Sequence, residues 1–171
     1  MKNRHRFLSL GLLALLALLV SFVSAATPQQ PLTAQEIRGK QIYLQGTSAS
    51  GKEILAFVGD ASLEIPGNVM ACVNCHGRSG EGKPRDGITP SNITWKVLTK
   101  PDGVTHDRGR KHPAYTERGL ESAITRGLDP AGNKLLSAMP RFQMSKTDLD
   151  DLIAYLKRLG TEIDPGIDEK K

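Results

Sequence analysis

The chain has 171 residues, of which 23 are Lys or Arg and 18 are Asp or Glu, giving a formal net charge of +5. Three of the basic residues and none of the acidic ones lie in the first 26 positions, so the rest of the chain has 20 basic and 18 acidic residues, a charge of +2. No stripe of basic and aromatic residues follows, which argues against nucleic acid as a partner. The remaining length fits one small domain.

The N-terminal segment, residues 1–25, predicts a signal peptide. Three basic side chains precede an almost unbroken apolar stretch over residues 7–20. Residues 23–25 then offer the small side chains that are typical of a cleavage site. An uncleaved anchor helix is the alternative, because the apolar stretch approaches the length of a membrane span. We therefore expect an exported, periplasmic protein, with membrane anchoring as the alternative. Residues 26–32 are rich in Pro and Gln and predict a disordered lead.

The first predicted helix begins at Thr33, because Glu36 three positions later completes a capping box. Gly46 ends this helix. Gly39 and Tyr43 lie one turn apart on one face, where a glycine allows another helix to approach closely and the tyrosine packs beside it.

The next segment, residues 47–71, contains a predicted β-hairpin. Two apolar stretches, residues 54–58 and 61–65, flank Gly59 and Asp60. Short apolar runs on either side of such a turn are typical of two antiparallel strands.

Both cysteines of the chain lie in residues 72–76, where Cys72, Cys75 and His76 form a covalent haem c attachment motif. Each thiol can add to one vinyl group of a single porphyrin, and the adjoining histidine can bind the iron. A dithiol redox pair and half of a zinc site are the alternatives, but the chain has no second cysteine pair and no βαβ context. One haem c with its iron is expected.

The rest of the chain is loop rich over residues 77–113 and then mainly helical. A helix is predicted over residues 115–127, and a stronger one from Ser145, capped through Asp148, to Gly160. Residues 161–171 are expected to be a C-terminal tail. The apolar positions at helical spacing in these two helices are Leu120, Ala123, Ile124, Leu149, Leu152, Ile153, Leu156 and Leu159.

With these elements in order, residues 33–160 resemble a class I c-type cytochrome. The resemblance implies a mainly α cytochrome c fold, in which three or more short helices surround one covalent haem, with a small hairpin insert at residues 47–71. The residues that carry it are Gly39, Tyr43, the motif at 72–77, Arg126, Gly127, the run Met139, Pro140, Arg141 and Phe142, and the last helix over 152–156.

The resemblance also implies that a downstream methionine is the sixth iron ligand, and Met139 fits best. Met144 is the main competitor, whereas Met70 lies only two residues before Cys72. Each methionine has packing as its alternative role. The other open alternative is an iron with two histidine ligands, the second being His106 or His112.

Three further residues are expected in the haem surroundings. In this family a backbone carbonyl near a proline, here Pro90 with Pro84 as the alternative, accepts the other ring hydrogen of the axial histidine. Trp95 is expected to reach a haem propionate, with plain packing as the alternative, and Arg85 is a similar candidate.

The residues favour one-electron transfer, because a single haem with both axial positions filled has no free site for a substrate. We expect an electron carrier that is not itself an enzyme, or the electron-transfer subunit of a dehydrogenase or oxidase complex. The alternative is a haem-based gas sensor with a displaceable methionine ligand. Expected partners are redox proteins, with no nucleic acid, and weak membrane association only if the signal segment is retained.

Overall fold

Short helices form the framework of the computed structural model, which describes residues 30–84, 87–106 and 109–161. The signal peptide, residues 162–171 of the tail, Arg85 and most of the predicted lead lie outside these residues. The helices in the described part are α1 (Ala34–Gln45), α2 (Val73–His76), α3 (Trp95–Leu98), α4 (Glu117–Arg126) and α5 (Lys146–Leu156).

Helix α1 begins and ends where the sequence predicts. The Thr33 hydroxyl accepts a hydrogen bond from the Glu36 amide at 3.2 Å, and the Glu36 carboxylate accepts one from the Thr33 amide at 2.7 Å. Gly46 ends the helix with a φ of 65°, a left-handed conformation that costs glycine little. The predicted capping box is confirmed.

Helices α1 and α5 pack closely because Gly39 has no side chain. A Cβ atom at Gly39 would lie 1.9 Å from the carbonyl oxygen of Asp151. One turn along, the rings of Tyr43 and Tyr155 pack with centroids 5.5 Å apart. At the edge of this contact Arg38 donates two hydrogen bonds to the Asp151 carboxylate, at 2.6 and 2.9 Å.

The other two predicted helix boundaries shift slightly. Helix α4 begins at Glu117 because the Thr116 hydroxyl caps it, accepting a hydrogen bond from the Gly119 amide at 3.1 Å. Helix α5 has the predicted Ser145 cap but ends at Leu156, and turns continue the chain to Gly160. The predicted apolar positions of both helices are buried.

The predicted hairpin is present and is part of a larger sheet. Strands β1 (Leu55–Val58) and β2 (Leu63–Pro66) pair antiparallel, with Ala56 opposite Ile65. The two strands β3 (Val104–Thr105) and β4 (Lys111–His112) form a separate pair inside the stretch predicted as loop. Strand β5 (Arg141–Gln143) then adds to the other edge of β1, giving the order β2-β1-β5.

The observed fold class is therefore the predicted one, mainly α with a small β insert. The core joins the helices to β1 and β5, since Ala56 and Phe142, which are paired across these strands, are both buried in it. Of the described residues, none belongs to a helix long and apolar enough to cross a membrane.

Candidate haem attachment site

The attachment motif forms a single turn, α2, that brings both thiols to the same face. The His76 amide donates to the carbonyl of Cys72 at 2.9 Å, and the Gly77 amide donates to that of Val73 at 3.0 Å. Residues three apart on such a turn are neighbours, so Cys72 and Cys75 project together. Both cysteines are free thiols, Cys72 half-buried and Cys75 exposed. Burial raises the pKa of the Cys72 thiol to about 12.

A backbone hydrogen bond orients His76 as an iron ligand. Its Nδ1 atom lies 2.9 Å from the carbonyl oxygen of Ser91, which can only accept, so Nδ1 carries the hydrogen. The Nε2 atom is left with a lone pair, which is the form that binds a metal. Burial lowers the pKa of His76, partly opposed by the Ser91 carbonyl, and this favours the neutral ring.

The loop after the motif is held by α1 and by close backbone contacts. The Tyr43 hydroxyl donates to the carbonyl of Gly77 at 2.6 Å. The Gly82 amide donates to the carbonyl of His76 at 2.9 Å, and a Cβ atom at Gly82 would lie 2.2 Å from the carbonyl oxygen of Pro90. These contacts place the segment that carries Ser91 directly beside His76.

The three methionines considered as sixth ligand are all half-buried and pack against the core. Met139 ends a short turn in which its amide donates to the carbonyl of Leu136 at 2.9 Å, two residues before β5. Met144 directly follows β5, and Met70 precedes the motif. Met139 as the sixth ligand stays a prediction from the family resemblance.

His106 and His112 contact each other. Their Nε2 atoms lie 3.0 Å apart across the β3–β4 pair. The Nδ1 atom of His112 donates to the carbonyl of Pro113 at 2.8 Å, and its ring packs edge-on against Tyr115. Both Nε2 atoms are thus engaged with each other at this hairpin, and the two-histidine iron stays an alternative prediction.

The residues expected in the haem surroundings are placed as follows. The carbonyl beside His76 belongs to Ser91, which directly follows Pro90. Trp95 begins α3, and its ring centroid is 5.8 Å from the Nζ atom of Lys157, a cation–π contact.

Two functional contacts were not assigned from the sequence. One is the identity of the acceptor for His76, which was expected only near Pro90 and is the carbonyl of Ser91, since a backbone acceptor has no residue preference of its own. The other is the hydroxyl of Tyr43, which was expected only to pack against a helix. A buried tyrosine hydroxyl usually finds a hydrogen-bond partner, and that rule was the available signal.

The residues present fit a covalent haem c. Two free thiols share one face of a turn, and the next residue is a neutral imidazole whose Nε2 is left for a metal. A zinc site needs further ligands beside the two cysteines. Among the residues that the structure describes, no group of three or more His, Cys, Asp or Glu side chains could hold a metal ion.

Comparison with known proteins gives one family. The family model described as Cytochrome c matches residues 38–160. No curated protein and no solved structure matches the chain significantly.

Proposed function

The chain belongs to the cytochrome c family and is a haem-based electron carrier, and from this premise we propose an exported, periplasmic carrier with one haem, ligated by His76 and Met139. The observation that supports it most strongly is the turn that presents Cys72 and Cys75 beside His76, with Nδ1 of that histidine on the Ser91 carbonyl. The count of one haem rests on the chain having only two cysteines.

In this proposal Cys72 and Cys75 would hold the haem covalently, and His76 and Met139 would supply the two protein ligands of its iron. When bound, the haem supplies reversible one-electron oxidation and reduction of iron. The protein residues tune this exchange rather than react.

Three features of the chain perform that tuning. The Ser91 carbonyl keeps the His76 ring in one orientation and increases its donor strength. Burial of His76, which is 7% exposed, restricts water around the ligand. The Tyr43 hydroxyl fixes the carbonyl of Gly77 at the end of the motif, so the turn that carries both thiols has little freedom.

The proposed location and partners follow from the N-terminal segment and the charge. A cleaved signal peptide would release a nearly neutral domain into the periplasm, where haem is joined to thiols in bacteria. Such a domain exchanges electrons with redox proteins, either freely or as the electron-transfer subunit of a dehydrogenase or oxidase complex.

The test is made on protein expressed in the periplasm together with the haem attachment machinery. Acid-acetone extraction should leave the haem on the polypeptide, and mass spectrometry should give one haem added to a chain that lacks residues 1–25. Dithionite should reduce the protein fully and reversibly. Recovery of the haem in the organic phase would contradict covalent attachment, and an intact N-terminus would favour the anchored form.

Carbon monoxide separates the carrier from the gas sensor. A carrier with a firm methionine ligand should not bind carbon monoxide when reduced at neutral pH. Ready binding by the wild-type protein would favour the sensor.

A further inference from the structure

The hairpin segment, residues 47–71, contacts residues 137–148, which carry Met139 and Met144 and which we call the methionine segment. Near the beginning of the methionine segment, the carbonyl of Ser137 accepts a hydrogen bond from the Gly59 amide at 3.0 Å. In its middle, β1 pairs with β5, with Phe57 opposite Arg141. At its end, the Ser48 hydroxyl donates to the Asp148 carboxylate at 2.6 Å.

The turn of the hairpin adds a side-chain contact. The guanidinium of Arg141 donates to the hydroxyl of Ser62 at 2.6 Å. Ser62 has a φ of 54°, and no other non-glycine residue in the described part of the chain has a positive φ. A left-handed conformation is unfavourable for a residue with a side chain, so surrounding contacts must hold the backbone at Ser62 in place.

These contacts are long range, because the hairpin precedes the haem motif in the chain and the methionine segment follows it. The stretch before Met139 has its own local anchors, a bridge between Leu128 and Lys134 and a hydrogen bond from the Leu135 amide to the Gly127 carbonyl. From Ser137 to Gln143, the hairpin supplies the strand partner and the turn contacts. Local opening of a segment costs less free energy when contacts that hold it are removed.

We propose that the hairpin segment is a brace that keeps Met139 on the haem iron, with Gly59, Ser62 and Arg141 as positioning residues. This inference rests on the proposed function, in which Met139 is the sixth ligand. It gives residues 47–71 a role in the redox site, although they contain no residue of the attachment motif.

The brace has a measurable consequence because an added ligand can bind the iron only after the methionine has left it. The apparent affinity for such a ligand is therefore its intrinsic affinity multiplied by the fraction of molecules in which Met139 is released. A variant that weakens the brace raises this fraction and tightens apparent binding of the added ligand.

The experiment titrates the oxidised holoprotein with imidazole and follows the haem spectrum. Arg141→Leu removes the guanidinium that donates to Ser62 and leaves the turn backbone unchanged, and we expect apparent binding about twofold tighter, the effect of one exposed hydrogen bond. Ser62→Ala removes an exposed acceptor and should tighten binding about twofold while preserving the fold.

Two controls separate the brace from general destabilisation. Asp60→Asn changes an exposed side chain of the same turn that takes part in none of these contacts, so its affinity should stay close to that of the wild type. Thr33→Ala weakens the fold at the remote capping box of α1 and should leave imidazole affinity unchanged.

The outcomes for the brace and for the proposed function are distinguishable. A wild-type oxidised protein without the weak near-infrared band of a methionine–iron bond would overturn the proposed ligand and the brace together. If that band is present, unchanged imidazole affinity in both Arg141→Leu and Ser62→Ala would overturn the brace alone. Equal tightening in Thr33→Ala or in Asp60→Asn would also overturn it.

Discussion

At the scale of single residues, one backbone carbonyl decides which ring nitrogen of His76 can bind a metal. The Ser91 oxygen can only accept, so it fixes the hydrogen on Nδ1 and leaves Nε2 for a metal. The sequence could place this acceptor only near Pro90, because any residue type can supply a carbonyl. The side chains of the motif, by contrast, were identified from the sequence because thiol and imidazole chemistry requires those residue types.

Asp129 gives a prediction on pH at the residue scale. It is 3% exposed and accepts hydrogen bonds from the guanidinium of Arg110 at 2.7 Å and from the Asn133 amide at 2.9 Å. Burial alone would raise the pKa of Asp129, but these donors outweigh it and hold the pKa below its usual value. A group with a depressed pKa stabilises the fold at pH values above its unfolded-state pKa. That stability is lost as pH falls through the folded-state pKa.

Asp129→Asn should therefore lower the free energy of unfolding of the holoprotein by about 2 kcal/mol near neutral pH. The difference from the wild type should shrink as pH falls below about 4, the ordinary pKa of an aspartate. Urea unfolding at a series of pH values measures this difference in the free energy of unfolding. Asp60→Asn, at an exposed position, is the control. A difference that stays constant down to low pH would contradict this account of Asp129.

At the scale of elements, the helices were predictable because their signals are local. Thr33 and Ser145 cap through their own side chains, and Gly46 and Gly127 end helices in left-handed conformations. Strand β5 was not predictable. It has three residues, too few for an alternating pattern, and its partner β1 lies far away in the chain.

Gly39→Ala tests the contact between α1 and α5. The added methyl would lie 1.9 Å from the Asp151 carbonyl oxygen, a backbone atom that moves only if the helices separate. We expect about 3 kcal/mol of destabilisation, at the upper end for overpacking. Gly119→Ala in α4 is the matched control, because its nearest contacts are at an ordinary 3.5 Å and alanine favours a helix.

Thermal or urea unfolding of the two holoprotein variants gives the comparison. Gly119→Ala should be unchanged or slightly more stable than the wild type. Equal stabilities for the two variants would show that the helices adjust to the methyl without cost, against the packing described here.

At the scale of the whole molecule, the domain is small and its helices are short, so we expect the haem to complete the core. Helices of 10 to 12 residues are marginal alone in water. Cys72→Ala combined with Cys75→Ala should therefore give a chain with little helical circular dichroism and rapid proteolysis in the periplasm. A stable apoprotein that melts cooperatively would show that the fold does not depend on the haem.

The measurement that tests the central claim most directly is the near-infrared spectrum of the oxidised holoprotein and its methionine variants. We predict the weak band of a methionine–iron bond in the wild type, its loss together with a lower reduction potential in Met139→Ala, and its retention in Met144→Ala. Loss of the band in Met144→Ala and its retention in Met139→Ala would transfer the ligand role to Met144. A spectrum unchanged in both variants would contradict ligation by either methionine.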